Sequence, residues 1–227
     1  MRIGELARIL NAPRSTAYDL VNRLLAGGIL ETYDDEGRVF FGRTLHFYAA
    51  DYLNHHRLSK LAREEVVALA GATGQTAQFC MMNGNKFTVL HMDTGRTFFK
   101  IGSEVGISMP LPWTASGRLL LDHMGAEAIK QFIPPADFIL PNGTRIDEDR
   151  FCAEVAEARV RNFVVASGLV EDFTECLAVP VRAPDGIAIG TLNLILIRDR
   201  PSPERESWEK ALILSGKRLT QRLQTRE

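Results

Sequence analysis

The chain has 227 residues, 45% apolar and 24% charged, a globular composition with ample material for a buried core and too much for a disordered segment. Its 27 Lys and Arg stand against 28 Asp and Glu, so no global basic field exists and any nucleic-acid affinity must come from local placement. Three irregularly spaced cysteines, Cys80, Cys152 and Cys176, exclude a disulfide framework and a structural zinc site and point to a reducing cytoplasm. No run reaches the roughly 18 apolar residues of a membrane helix, and Glu5 and Arg8 interrupt any signal-peptide core, so no membrane partner is expected.

Ile3, Leu6, Ala7 and Leu10 share one helical face, which predicts a short amphipathic helix over 3–10. Pro13, at a position favoured in a first helical turn, opens a second periodic run with Ala17, Leu20, Val21 and Leu24. Gly27 and Gly28 stop it. Short strands over 29–31 and 38–41 flank Asp34-Asp35-Glu36-Gly37 and predict a hairpin. The stretch 44–57, with Leu45, Tyr48, Ala49 and Tyr52 and no proline or glycine, reads as a connecting helix. Another helix over 58–70 ends at Gly71 and Gly74, and a second region begins near residue 58. There follow β runs over 76–82, 87–92 and 97–101, predicting an antiparallel meander, and a loop over 102–112. Helices over 114–124, 126–132 and 149–161 come next, then strands over 163–167, 176–182 and 187–197, and a closing helix over 203–223. This order fits an α+β class: an antiparallel sheet with helices packed against it, as in small-molecule sensors.

Helix, tight turn, helix and hairpin in succession outline a winged helix-turn-helix. In that arrangement the second helix enters the DNA major groove and the hairpin lies along the phosphates. Arg14, Ser15, Thr16, Tyr18, Asn22 and Arg23 lie off the apolar stripe of the second helix, and Arg38 sits on the hairpin. Arginine pairs with guanine, asparagine with adenine, and hydroxyls with phosphate oxygens. The competing reading is a plain structural corner with a solvated polar face.

In the larger region, the loop up to Pro112 feeds a helix beginning near Thr114, so the amides of Ala115, Ser116 and Gly117 are expected to be unpaired and to attract a carboxylate. Alternatively, Thr114 merely caps the helix. Trp113 is either a pocket wall or core. Cys176 lies close in sequence to Glu171, Asp172 and Glu175, whose charges would disfavour a thiolate, and no histidine is placed beside it. It reads as a pocket-lining or core thiol, not a nucleophile. His55 and His56, one apart on a helix, cannot face one ligand, so no metal is expected, and nothing calls for a cofactor.

The strings Ile3-Gly4-Glu5-Leu6-Ala7, Ala12-Pro13-Arg14-Ser15-Thr16-Ala17-Tyr18 and Leu24-Leu25-Ala26-Gly27-Gly28-Ile29-Leu30 resemble the DNA-binding domain of IclR-type bacterial transcriptional regulators. Residues 110–118, Pro-Leu-Pro-Trp-Thr-Ala-Ser-Gly-Arg, and 176–181, Cys-Leu-Ala-Val-Pro-Val, resemble that family's effector-binding domain. The resemblance implies a winged helix-turn-helix over 1–42, a linker helix over 43–58 and a GAF/profilin-like effector domain over 59–227. It implies a homodimer or dimer of dimers acting on a double-stranded DNA operator. It places effector contacts at Ala115 and Ser116, around Asp172, and at Cys176, Asn193 and Ile195. Ile195 stands where serine is common, which favours an organic acid with an apolar or aromatic part over a very small polar one. Family members usually begin with one more helix than is seen here, which leaves a mis-assigned start or a truncated chain as the expectation and leaves Leu6, Leu10 and Leu24 partly uncovered. Asp19 stands where the family commonly has arginine, so a different operator preference follows. The alternative is a stand-alone small-molecule binding module that has lost DNA binding.

Overall fold

In the computed structural model, which describes residues 1–96, 104–198 and 203–225, the chain forms two units, Met1–Ser59 and Lys60–Glu227. In the first, the helical spacings become α1 (Ile3–Ile9) and α2 (Arg14–Ala26). Asn11 makes the corner between them at φ 47°, a left-handed conformation that asparagine tolerates better than most side chains. Ala7, Ala17 and Val21 are buried, whereas Leu10, Leu20 and Leu24 are 59%, 52% and 40% exposed. Periodicity put Leu20 on the inner stripe with the others, but two short helices have too little surface to cover that stripe.

Gly27 ends α2, and Gly28 reverses the chain at φ +67°, where a Cβ would meet the Thr44 hydroxyl at 2.5 Å. The hairpin is β1 (Leu30–Thr32) against β2 (Val39–Phe41), with Leu30 opposite Phe41. Its turn is held by the Asp34 carboxylate, which accepts from the amides of Glu36 and Arg38 at 3.0 and 3.1 Å. On the outer side of β2 the Val39 amide donates to the Met1 carbonyl at 2.9 Å. Two helices follow, α3 (Thr44–His55) and α4 (Arg57–Thr73), broken at His56, whose backbone is extended. The helix expected to stop at Gly71 runs through it to Gly74, where φ is +68°. One internal glycine costs a helix only about 1 kcal/mol, and the rest of α4 outweighs it.

Among the described residues the second unit is built on a six-stranded antiparallel sheet made of β3 (Thr76–Asn83), β4 (Lys86–Asp93), β5 (Ser108–Pro110), β6 (Val164–Ser167), β7 (Thr174–Arg182) and β8 (Ala188–Ile197). The strand order is β5-β4-β3-β8-β7-β6, so the segments on either side of the helical insertion meet where β3 pairs with β8, with Gln78 opposite Asn193. Strand β5 falls inside the stretch read as a loop. Its three residues, one of them proline, carry no alternation for a pattern to detect. The expected strand over 97–101 lies outside the described residues.

The helices are α5 (Ala115–Leu120), α6 (Ala126–Phe132), α7 (Glu148–Arg161) and α8 (Arg205–Gln224). The core holds Phe87, Leu111, Leu120, Phe138, Phe151 and Val155, among others. The helix expected over 114–124 is only six residues long, because Leu119, Leu120 and Leu121 are all fully buried and the chain turns to bury them on every side. Asp147 caps α7 by accepting from the Arg150 amide at 2.7 Å. Buried Glu65 of α4 accepts from Arg218 of α8 at 2.8 and 2.6 Å, a pairing that offsets the cost of burying its charge.

Helix α5 packs so closely on the 3-10 turn Leu111–Trp113 that a Cβ on Gly117 would lie 2.0 Å from the Leu111 carbonyl oxygen. The Gly117→Ala variant is therefore expected to lose about 1–3 kcal/mol of stability, as overpacking does, read from the urea midpoint of the full chain. An unchanged midpoint would contradict this packing.

Candidate functional site

The segment from β5 to α5 is set by hydrogen bonds that leave little play. Thr114 caps α5: its hydroxyl accepts from the Gly117 amide at 3.0 Å and donates to the Leu111 carbonyl at 3.2 Å. Of the three amides expected to be available at this helix start, that of Gly117 is thus taken by the cap. The guanidinium of buried Arg118 donates to the carbonyls of Pro112 and Thr114 at 3.2 and 2.8 Å and pairs with Glu154 of α7 at 2.7 Å. It also stacks 5.0 Å from the Phe151 ring centroid. Burial pulls its pKa below the usual arginine value, and Glu154 works against that shift. The Trp113 indole donates to the Asp137 carbonyl at 2.7 Å, which fixes its ring, and Lys86 pairs with the Asp137 carboxylate.

These restraints form one wall of a cavity enclosing about 650 Å³, counting its open mouth. Trp113, Thr114, Ala115 and Ser116 line that wall, while Cys176 of β7 and Ile195 of β8 line the floor with Gln78, Phe87 and Met109. The loop over 168–174 forms the roof. It is closed by the Gly168 amide donating to the Thr174 carbonyl at 2.9 Å, and by the Thr174 amide and hydroxyl donating to the Glu171 carbonyl at 3.0 and 2.9 Å.

Six of the expected effector residues therefore meet in one place: Trp113, Thr114, Ala115, Ser116, Cys176 and Ile195. The other two do not line the cavity. Asn193 lies beneath the floor, where its Oδ1 accepts from the Ser116 hydroxyl at 3.1 Å and its Nδ2 donates to Cys80 Sγ at 3.1 Å. The Thr191 hydroxyl in turn donates to Ser116 at 2.8 Å, so Ser116 is committed below the cavity. Asp172 is exposed, and its neighbour Glu171 faces the cavity instead. Glu171 Oε2 is buried without a hydrogen-bond partner. A turn rotates successive side chains in directions that spacing alone cannot assign, which is why Glu171, Leu169 and Val170 had no signal in the sequence.

Burial, with Glu175 next, pushes the Cys176 thiol up to about 12 from an ordinary 9.0. Burial likewise pushes Cys80 well up. Both are neutral thiols near neutral pH and unsuited to nucleophilic work.

In the first unit Arg14, Ser15, Thr16, Tyr18, Asn22 and Arg23 are all exposed on α2, opposite buried Ala17 and Val21. Two of the expected phosphate contacts are already paired: Arg23 with Asp19 at 3.0 Å, and Arg38 with Asp34 at 2.5 Å and Glu36 at 3.4 Å. Among the described residues no cluster of three or more His, Cys, Asp or Glu is gathered for a metal ion, and no helix is long and apolar enough to cross a membrane.

The thiol environment gives a measurable expectation. At pH 8 Cys176 should react with iodoacetamide on the order of a thousandfold more slowly than an unstructured cysteine, by mass spectrometry. Because the unfolded thiol ionises at a lower pH than the folded one, stability should also fall as pH rises through the window between 9 and 12. Rapid alkylation of Cys176 in the folded chain would contradict its raised pKa.

Residues 50–217 match the family model for the C-terminal domain of bacterial IclR transcriptional regulators. The chain is 20% identical over 201 residues to the HTH-type transcriptional regulator XynR of Escherichia coli K12, covering 88% of this chain and 80% of that one. An IclR homologue from Microbacterium hydrocarbonoxydans, solved in complex with 4-hydroxybenzoate, superimposes with a TM-score of 0.77 at 22% identity, over 98% of this chain and 91% of that one. An IclR transcriptional regulator from Alicyclobacillus acidocaldarius does so with 0.80 at 19% identity, over 98% and 90%. At such identities the solved structures establish the fold, and the family model, matching most of the sequence, establishes the lineage. The chain belongs to the IclR family of bacterial transcriptional regulators, not to a family of enzymes.

Proposed function

We propose that this chain is a ligand-responsive, DNA-binding transcriptional regulator of the cytoplasm, in which residues 1–42 act as a winged helix-turn-helix, 43–58 as a linker and 59–227 as the effector domain. The observation that carries the reading is the cavity beside α5. The cavity is a concave space lined mainly by apolar side chains, and its wall is held by buried Arg118 and the Thr114 cap. A small molecule with an apolar, aromatic-sized body fits against Trp113, Phe87, Met109 and Ile195. The homologue solved with 4-hydroxybenzoate supports an effector of that size. The helix start and Ile195 led to the expectation of an organic acid with an apolar or aromatic part.

On the DNA side, α2 presents Arg14, Ser15, Thr16, Tyr18 and Asn22 to the groove, with Arg38 on the wing. The exposed aromatics Phe47, Tyr48 and Tyr52 of α3 support self-association into a homodimer or dimer of dimers. Occupancy of the cavity would change how paired DNA-binding units are spaced on a two-fold operator. The ion pairs of Arg23 and Arg38 favour a second reading, a small-molecule binding module without DNA affinity, because residues 1–58 hold seven arginines against seven carboxylates.

Fluorescence anisotropy with fragments from upstream of its own gene separates the two. The regulator reading expects saturable binding with a modest salt dependence, a loss of about tenfold or more in Arg14→Ala, and tighter binding in Asp19→Asn, which frees Arg23. No binding by any fragment, with small-molecule binding intact, selects the module.

A further inference from the structure

The cavity wall is short of side-chain donors. The Thr114 hydroxyl donates to the Leu111 carbonyl, the Ser116 hydroxyl to Asn193, the Thr174 hydroxyl to the Glu171 carbonyl, and the Trp113 indole to the Asp137 carbonyl. The Gln78 amide donates to Met92 Sδ at 3.4 Å. Among the described residues no lysine, arginine or histidine lines the space. Against these engaged groups stands one carboxylate, Glu171, with Oε2 buried and without a partner, on a roof loop whose backbone is closed at Thr174. A buried acceptor left unpaired is costly, and with the side-chain donors of the described lining engaged elsewhere, a donor carried by the occupant can satisfy it.

Resting on the reading of this cavity as an effector site, we propose that Glu171 selects the effector by its polar group. The occupant presents a hydroxyl or an amine to the Glu171 carboxylate, on an apolar ring or chain, and carries no carboxylate of its own. An organic anion would bring a second negative charge into an apolar space whose described lining holds no cation, and would leave Oε2 still unpaired. The proposal departs from the organic acid expected from the helix start: α5 is six residues long, and its cap already uses the Gly117 amide.

The test uses the full chain and three matched probes, benzyl alcohol, benzylamine and benzoate, with affinities read by calorimetry and by thermal shift. The alcohol or the amine should bind at least tenfold more tightly than benzoate. Glu171→Gln, which keeps shape and removes charge, should weaken benzylamine by about tenfold to a hundredfold and narrow or reverse its lead over benzoate. Benzoate as the tightest probe for the unaltered chain, equal effects of Glu171→Gln on all three, or no saturable binding by any probe overturns the proposal. Val170→Trp, at the half-exposed mouth, distinguishes the two levels. Loss of binding by all three probes keeps the cavity as the site, whereas undiminished binding removes the effector-site reading itself.

Discussion

A buried guanidinium organises the sensing end of this molecule. Arg118 sits one turn into α5 and draws the carbonyls of Pro112 and Thr114 onto itself while Glu154 of α7 neutralises it. Burying that charge without Glu154 would cost several kcal/mol, so the turn over 111–113, the helix start and α7 hold one another in place. Gly117 completes the arrangement by letting α5 touch the turn backbone to backbone. The cavity wall is therefore preorganised, and its position does not depend on an occupant.

Much of this was legible from the residues. Alternating apolar positions gave the long strands β3, β4, β7 and β8 to within two residues at each end, and the Pro-Leu-Pro-Trp-Thr-Ala-Ser-Gly-Arg string marked the wall that Trp113 to Ser116 form. Three kinds of information were not legible. Strand β5 is too short to carry a period and exists because β4 offers it an edge. The exposure of Leu20 depended on how much surface a neighbouring helix covers, which no spacing within one helix records. The exchange of Asp172 for Glu171 at the cavity, and the descent of Asn193 beneath it, depended on backbone direction in a turn and on Ser116 being the nearer partner.

In the small unit, charge placement counts for more than charge total. Two of the arginines proposed to meet DNA are each matched to a carboxylate on the same element: Arg23 with Asp19, and Arg38 with Asp34. Exposed pairs of this kind are worth little to folding, so their effect is on which cations remain available to a polyanion.

The linked side chains Thr191, Ser116, Asn193 and Cys80 seal the underside of the cavity with their polar atoms turned toward one another. The roof, by contrast, is a short loop whose shape comes from main-chain bonds and whose side chains are spectators to the sheet's stability. Substitutions at Leu169, Val170 or Glu171 would therefore change the lining of the cavity while leaving the hydrogen bonds of the sheet beneath it in place.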